Sequence, residues 1–207
     1  MEKKPIIEMK NIVKIYPDGT VALRGVNFTV HEGEIVGLLG ENGAGKTTLM
    51  KILSGLLRPT KGEIYYKGRK VKFKNPSDAL ALGIGMVHQH FTLVPIFTAL
   101  ENIILGIESA EKKSSLIISP IDTSSAEEKI RKLMKETGLE VPLDVPVELL
   151  PLGSRQRIEI LKVLYRGVNV LILDEPTTFL TPLEVEELFK IMRRLKEQGK
   201  TVVFITH

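Results

Sequence analysis

A chain of 207 residues, of which 43% are apolar and 26% charged, is long enough for one substantial core with a smaller appended subdomain. The net charge of +4 slightly favours anionic ligands and is too small to indicate a nucleic-acid partner. The sequence lacks cysteine, which excludes disulfides and cysteine metal sites, and it contains no recognisable signal peptide or membrane-spanning run. We therefore expect a soluble, cytoplasmic protein that reaches a membrane only through a partner.

The N-terminal part of the sequence predicts strands with one helix among them. In chain order the segments are the strands IIEMKNIVKIY, VALRGVNFTV and EIVGLLG, the helix TTLMKILSGLL and the hairpin GEIYYKGRKVKF. The first two segments alternate apolar and polar residues on either side of a Pro-Asp-Gly turn at 17–19, so we expect them to pair as antiparallel strands. Helical spacing places four apolar side chains on one side of the helix: Leu49, Ile52, Leu53 and Leu56.

The rest of the sequence predicts helices alternating with strands. Asn75 can cap a short helix with Pro76 at its first position and Gly83 after its end, and the strand IGMVHQ follows. SSAEEKIRKLMKETGL has capping boxes and an apolar stripe that we expect in the core: Ile130, Leu133 and Met134. Buried strands VNVLILDEP and TVVFITH flank the helix LEVEELFKIMRRLKEQG, which predicts a parallel sheet covered on both faces. Because the last strand ends the sequence, we expect a fragment that lacks a C-terminal portion.

The segment GENGAGKT at 40–47 fits the pattern G-x-x-x-x-G-K-[ST] between a strand and a helix. Its glycines let backbone amides wrap around phosphates, and Lys46 can reach the terminal phosphates of a nucleoside triphosphate. The Thr47 hydroxyl is a candidate ligand of Mg²⁺. The predicted nucleotide-binding residues of this loop are Gly40, Glu41, Asn42, Gly43, Ala44, Gly45, Lys46, Thr47 and Thr48.

An acidic pair, Asp174 and Glu175, follows the buried strand VLIL. At that end of a parallel sheet Asp174 can hold the Mg²⁺ shell, and Glu175 can polarise a water for attack on the γ-phosphate. The alternative is a carboxylate pair that only caps the next helix. Hydrolysis is favoured over phosphate transfer, because a kinase needs an acceptor pocket that the sequence does not show.

Together these motifs resemble an ATP-binding cassette (ABC) ATPase over nearly the whole chain. The resemblance implies an α/β P-loop NTPase (RecA-like) fold, in which a parallel-sheet core carries an N-terminal antiparallel β-subdomain and an inserted α-helical subdomain. It makes residues 1–207 a single ABC domain truncated at its C-terminus. Residues 1–90 and 162–207 would form the nucleotide-binding core with the β-subdomain, and residues 91–161 the helical subdomain.

The resemblance also implies roles for three further residues. Tyr16 would stack on the adenine of ATP, although it could be an ordinary strand tyrosine. Gln89 would sense Mg²⁺ and water, and His207 would contact the γ-phosphate. His88 and His90, which flank Gln89, leave open a metal site for which the sequence offers no third ligand.

The segment LPLGSRQ, at the start of a predicted helix, resembles the signature sequence with which one cassette contacts the ATP of a partner cassette. The residues predicted to make this contact are Gly153, Ser154 and Gln156. Pro151 stands where the family has a serine, and it brings neither a hydroxyl nor an N–H group, so we expect one phosphate contact to be lost.

Two longer segments, GIGMVHQHFTLVPIFTALENIILGIE and RQRIEILKVLYRGVNVLILDEPTTFLTP, resemble the first half of tandem cassette ATPases that drive nucleoside and simple-sugar importers. The HQHF sequence is closer to the nucleoside branch. This implies a second cassette on the same chain, membrane permease subunits, an extracytoplasmic solute-binding protein and a place on the cytoplasmic face of the membrane. Residues 91–100 would line a groove for a membrane-domain helix or be plain core. Thr181 stands where the family usually has an aspartate, so the resemblance does not carry over that residue's part in communication between the two ATP sites of paired cassettes.

The favoured hypothesis is an ATP-hydrolysing importer subunit with ATP and Mg²⁺ as cofactors. One alternative is a cassette ATPase that acts on ribosomes or DNA, but such proteins usually carry extra basic or coiled-coil segments. Another is a nucleotide switch without hydrolysis, against which Glu175 and His207 argue.

Overall fold

The structure, a computed structural model, describes residues 4–107 and 123–206. Its strands are β1 Pro5–Ile15, β2 Val21–His31, β3 Ile35–Leu39, β4 Lys61–Tyr66, β5 Arg69–Val71, β6 Ile84–Val87, β7 Val170–Asp174 and β8 Thr201–Thr206. Its helices are α1 Lys46–Leu53, α2 Pro76–Ala81, α3 Ala99–Ile104, α4 Thr123–Thr137, α5 Leu152–Tyr165 and α6 Pro182–Glu197. Within the two described ranges, no helix has the length and apolar character needed to cross a membrane.

The strands form two sheets, as the sequence predicts. The first is antiparallel with the order β2-β1-β4-β5, so both predicted hairpins are confirmed. The second is parallel with the order β3-β8-β7-β6. All five residues of β7 are buried, because this strand lies inside the sheet and both of its faces are covered. Parallel strands end at one edge, so the loops after β3, β6 and β7 meet there.

Helix α1 is shorter than the predicted helix. It ends at Leu53, and Gly55 follows in a left-handed conformation with φ 76°. Leu49, Ile52 and Leu53 are buried as expected, whereas Leu56 lies beyond the helix and is 41% exposed. The prediction for Leu56 was therefore wrong, because the glycine turns the chain before the apolar stripe is complete.

Helix α2 has the predicted ends. The Asn75 side chain accepts a hydrogen bond from the Asp78 N–H at 3.2 Å, and Pro76 is the first helical residue. Gly83 follows the helix with φ 82°, a conformation that costs glycine little.

Two apolar clusters cover the two faces of the parallel sheet. One contains buried residues of the antiparallel sheet, α1 and α2, and the other contains buried residues of α3 to α6. In the second cluster Ile130 and Met134 are buried, and Leu133 packs against them partly buried, which confirms the predicted stripe. Helix α5 runs from 152 to 165 and so crosses the predicted subdomain boundary at 161.

Helix α5 approaches the sheet closely at one glycine. A Cβ atom on Gly85 of β6 would lie 2.4 Å from Val163 Cγ1 and 2.7 Å from Val168 Cγ1. Such contacts leave no space for a side chain, so this glycine lets α5 and the segment that follows it rest directly on β6.

Candidate functional site

The predicted phosphate loop connects β3 to α1. Gly43 and Gly45 have positive φ angles of 82° and 89°, which glycine adopts readily. A Cβ on Gly45 would come within 2.7 Å of both the Ala22 carbonyl oxygen and Leu23 Cδ2. Glycine at this position therefore lets the first turn of α1 begin against β2. The predicted residues of the loop all lie between the end of β3 and this first turn: Gly40, Glu41, Asn42, Gly43, Ala44, Gly45, Lys46, Thr47 and Thr48.

The loop curls around the ammonium group of Lys46. Lys46 Nζ donates hydrogen bonds to the Gly40 carbonyl and, at 3.0 Å, to the Glu41 carbonyl. Residues 40–44 are exposed, and the first turn of α1 contains no acidic residue. Exposed backbone, a helix N-terminus and a lysine charge together make a favourable place for a polyphosphate.

Thr47 and Asp174 meet although they are far apart in sequence. Thr47 Oγ1 donates a hydrogen bond of 3.1 Å to Asp174 Oδ1. Asp174 is only 5% exposed, and this burial raises the pKa of its carboxyl. The hydrogen bond from Thr47 lowers that pKa, and the negative charge of Glu175 raises it. A buried carboxylate of this kind gains from a nearby cation, and hydroxyl and carboxylate oxygens are the hard ligands that Mg²⁺ prefers. The pair therefore fits a magnesium ion whose remaining ligands would be water molecules and phosphate oxygens.

Gln89 and Glu175 form a second pair beside the first. Gln89 Nε2 donates to Glu175 Oε2 at 2.7 Å, and the Thr178 hydroxyl donates to the Glu175 carbonyl oxygen at 3.1 Å. Glu175 has φ 48°, a left-handed conformation that costs a non-glycine residue free energy and is frequent at functional sites. The chain thus turns sharply after β7, and the carboxylates of Asp174 and Glu175 serve different neighbours.

Tyr16 lies close to the first turn of α1. Its hydroxyl is 3.2 Å from Thr48 Oγ1, and Lys14 Nζ is 5.5 Å from the centre of its ring. The tyrosine is half-buried, so it is near the phosphate loop as expected. Its predicted stacking on adenine stays a prediction.

The three histidines named from the sequence have different positions. His88 is half-buried on the loop after β6, His90 is exposed, and His207 lies outside the described residues. In the part of the chain that the structure describes, no group of three or more His, Cys, Asp or Glu side chains could hold a metal ion.

The start of α5 contains the predicted signature residues. Pro151 is the N-cap, and no side chain caps this end. Gly153 is buried, and a Cβ there would lie 2.2 Å from Glu184 Oε1, whereas Ser154 is half-buried. Gln156 is 7% exposed and its amide donates to the Pro176 carbonyl oxygen at 2.5 Å.

Gln156 is buried in this chain, and its predicted contact with the ATP of a partner cassette stays a prediction. Gly153 and Gln156 are one helical turn apart, so both lie on the side of α5 that packs against the chain's own interior. Ser154 and the backbone at this helix end are the parts that face away from that packed side.

The segment 91–100 is partly buried and partly exposed, and its predicted contact with a membrane-domain helix stays a prediction. Ala99 is buried, and Leu93 and Leu100 pack against the core, whereas Ile96 is 70% exposed. Thr92 lines a groove of about 300 Å³ with residues of α2, β6 and α5, and the exposed Leu56 lies in the same groove.

Two features of the site region were missed in the sequence. The buried Glu159 of α5 accepts hydrogen bonds from Thr92, and the signal was a carboxylate inside the apolar helical run IEILKVL. Thr181, which departs from the expected aspartate, caps α6 in a capping box with Glu184, and threonine does so as aspartate would.

Comparison with known proteins identifies the family. A family model described as ABC transporter matches residues 23–178. The chain is 48% identical over its whole length to the nucleoside import ATP-binding protein of Lactococcus lactis, of which it covers 40%. It is also 48% identical, over 96% of its length, to the guanosine import ATP-binding protein of Bacillus subtilis, of which it covers 38%. The chain therefore spans about two-fifths of these curated relatives.

Solved structures show the same fold. The ADP conformation of an ATP-binding cassette of an ABC transporter superposes with a TM-score of 0.85 at 26% identity, covering 98% of this chain and 81% of that chain. A dimeric post-hydrolysis cassette bound to ADP and Pi gives a TM-score of 0.79 at 28% identity, covering 97% and 88%. The phosphate loop, the paired acidic residues and these similarities agree, and the chain belongs to the ABC transporter family.

Proposed function

We propose that this chain is the ATP-binding and ATP-hydrolysing cassette of an importer for a small solute, a nucleoside or a simple sugar. The observation that carries the proposal is the placement of the Gln89–Glu175 pair beside the Thr47–Asp174 pair at the edge where the phosphate loop begins. The names of the relatives, which are import ATP-binding proteins for nucleosides, guanosine and ribose, support the solute class.

In this proposal each residue has a defined task. Lys46 and the loop amides bind the β- and γ-phosphates of ATP, and Tyr16 stacks on the adenine. Thr47, Asp174 and Gln89 would hold Mg²⁺, which would neutralise charge on the phosphates. Glu175 takes a proton from the water that attacks the γ-phosphorus, while the bond to the β-phosphate oxygen breaks and ADP leaves. The hydrogen bond from Gln89 keeps the Glu175 carboxylate oriented for this transfer.

We also propose the partners that this activity needs. The relatives are much longer than this chain, which supports a second cassette on the full-length polypeptide. Ser154 and the start of α5 face that second cassette, and His207 contacts the γ-phosphate of the first. A permease helix docks in the groove beside Thr92, which holds the protein at the cytoplasmic face of the membrane. A solute-binding protein on the other side delivers the solute.

Within the chain itself, residues 1–90 and 162–207 act as the core, and residues 91–161 as the helical subdomain.

The test is Glu175→Gln in the full-length polypeptide reconstituted with its permease in vesicles. The substitution keeps the shape of the side chain but removes the general base, so we expect ATP turnover and solute uptake to fall at least about 100-fold. Binding of a fluorescent ATP analogue should remain, because Lys46 and the loop are untouched. Glu197→Gln, on the exposed end of α6, is the matched control and should behave as wild type. Turnover by Glu175→Gln equal to that of the control would contradict the proposal.

A further inference from the structure

Helix α5 contacts both loops that carry the catalytic pair. Gln156 donates to the carbonyl oxygen of Pro176, which directly follows Glu175. Glu159 accepts from Thr92, which lies three residues after Gln89. Gln156 and Glu159 are one helical turn apart and are only 7% and 4% exposed, so they form two adjacent contacts on one face of the helix.

The contact between Glu159 and Thr92 is a strong one. The Glu159 carboxylate accepts from the backbone N–H of Thr92 and also from its hydroxyl, at 3.0 Å to Oε1 and 3.3 Å to Oε2. Hydrogen bonds to a charged acceptor are about twice as strong as neutral ones, and a buried carboxylate that loses them is costly. Thr92 itself is an exposed residue, so Glu159 ties an exposed loop to a buried helix.

The helix that makes these contacts is itself held against the sheet. Val163, one turn after Glu159, lies where a Cβ on Gly85 would clash. Gly85 belongs to β6, the strand from which the loop containing Gln89 emerges. The distance between β6 and α5 is therefore set by direct contact, and Glu159 fixes the loop relative to both.

We propose that Glu159 is a positioning residue for hydrolysis, which acts through Thr92 to hold Gln89 against Glu175. The inference rests on the proposed function, because it assumes that the Gln89–Glu175 pair takes part in turnover. Gln156 holds the other partner through Pro176, so one helix sets the position of both members of the pair. The start of the same helix is the proposed contact with the second cassette, so a shift of α5 moves Gln89 and Glu175 together.

The experiment compares Glu159→Ala and Glu159→Gln in the full-length polypeptide. The alanine variant removes both acceptors, and we expect kcat for ATP to fall at least about tenfold with little change in KM, because misplaced catalytic groups lower the rate without touching the phosphate loop. The glutamine variant keeps one acceptor oxygen for the Thr92 N–H and should recover most of the lost rate. A rise in KM at unchanged kcat would overturn the inference.

A second measurement does not depend on turnover. Hydrogen exchange of the Thr92 backbone amide should be faster in Glu159→Ala than in wild type and close to wild type in Glu159→Gln. The control is Thr137→Val, which removes a buried hydroxyl bonded to the Leu133 carbonyl in α4 and should change neither the exchange nor kcat. Unchanged exchange at Thr92 in the alanine variant, or an equal loss of kcat in Thr137→Val, would overturn the inference. If wild type fails to hydrolyse ATP, the proposed function fails, and exchange at Thr92 still tests the contact.

Discussion

Glu175 has a backbone conformation that a residue with a side chain disfavours. Its left-handed φ of 48° is a conformation that costs a residue with a side chain about 1–3 kcal/mol. Bonds from Gln89 to its carboxylate and from Thr178 to its carbonyl oxygen oppose that cost. The two adjacent acids thus have different partners, since Asp174 bonds to Thr47 and Glu175 bonds to Gln89.

The Thr47 hydroxyl can be tested by its effect on magnesium. Thr47→Val removes the oxygen that bonds to Asp174 at 3.1 Å, so we expect the Mg²⁺ concentration for half-maximal hydrolysis to rise about tenfold. The measurement is a Mg²⁺ titration of ATP turnover by the full-length polypeptide. Thr47→Ser keeps a hydroxyl and should stay near wild type. An equal Mg²⁺ requirement for valine and serine would show that the hydroxyl is not a ligand.

Individual site residues were predictable where a local pattern identifies them. The phosphate loop and the acidic pair Asp174 and Glu175 are contiguous in sequence, and their flanking strand and helix could be anticipated. The bond between Gln89 and Glu175 joins residues 86 apart, which no local pattern reveals. The burial of Gln156 could not be predicted, because a signature pattern gives residue types and not the face of the helix on which each lies.

At the scale of elements, the starts of α5 and α6 are in contact through the Glu184 side chain. Glu184 closes the capping box of α6, with its Oε2 accepting at 2.8 Å from both the N–H and the hydroxyl of Thr181. These bonds lower the pKa of the Glu184 carboxyl. Its other oxygen, Oε1, lies 2.2 Å from where a Cβ on Gly153 of α5 would be, so a side chain there would displace the Glu184 carboxylate. Glycine at 153 therefore leaves space for the Glu184 side chain in the position where it caps α6.

Gly153→Ala should destabilise the protein through that cap. The added methyl group displaces Glu184, and loss of a helix cap costs about 1 kcal/mol. In a Glu184→Ala background the same change should be neutral or stabilising, because alanine is the better helix former by up to about 1 kcal/mol. The measurement is a double-mutant cycle of unfolding free energies in urea.

The control for this cycle uses the other capping box of the chain. Glu101 caps α3 with Thr98, whereas the atoms nearest to a Cβ on Gly153 belong to Glu184, so Gly153→Ala combined with Glu101→Ala should show additive free energies. Additivity of Gly153→Ala with Glu184→Ala as well would show that the two residues do not depend on one another.

The elements themselves were largely predictable, since both hairpins, the capped α2 and the buried β7 follow from periodicity and caps. The end of α1 was not, because Gly55 lay inside a helical pattern that continued to Leu56. The order of the parallel sheet was not predicted either. Nothing in the sequence of β8 indicates that it lies between β3 and β7, because that order results from packing between segments distant in sequence.

At the scale of the whole molecule, Pro151 bears on how many nucleotide sites work. It caps α5 without a hydroxyl or N–H to offer a phosphate. If the full-length protein has one competent site, built on Lys46 and Glu175, then Pro151→Ser should leave the rate of MgATP hydrolysis unchanged. The rate is measured well below the unfolding temperature, because serine also stabilises the helix as a cap. A clear rise in rate would mean that Pro151 restrains a second working site.

The strand order also constrains how the protein can be made. Strands β1, β2, β4 and β5 all lie within residues 5–71, so the antiparallel sheet can pair early during synthesis on the ribosome. Among the residues that the structure describes, strand β3, which leads into the phosphate loop, pairs only with β8 at residues 201–206. Until β8 emerges and inserts between β3 and β7, strand β3 therefore has no partner strand in this sheet and β7 is paired only with β6. A nucleotide held by the phosphate loop would consequently stabilise the finished fold and not the growing chain, since strand β3 before that loop has no partner strand until then.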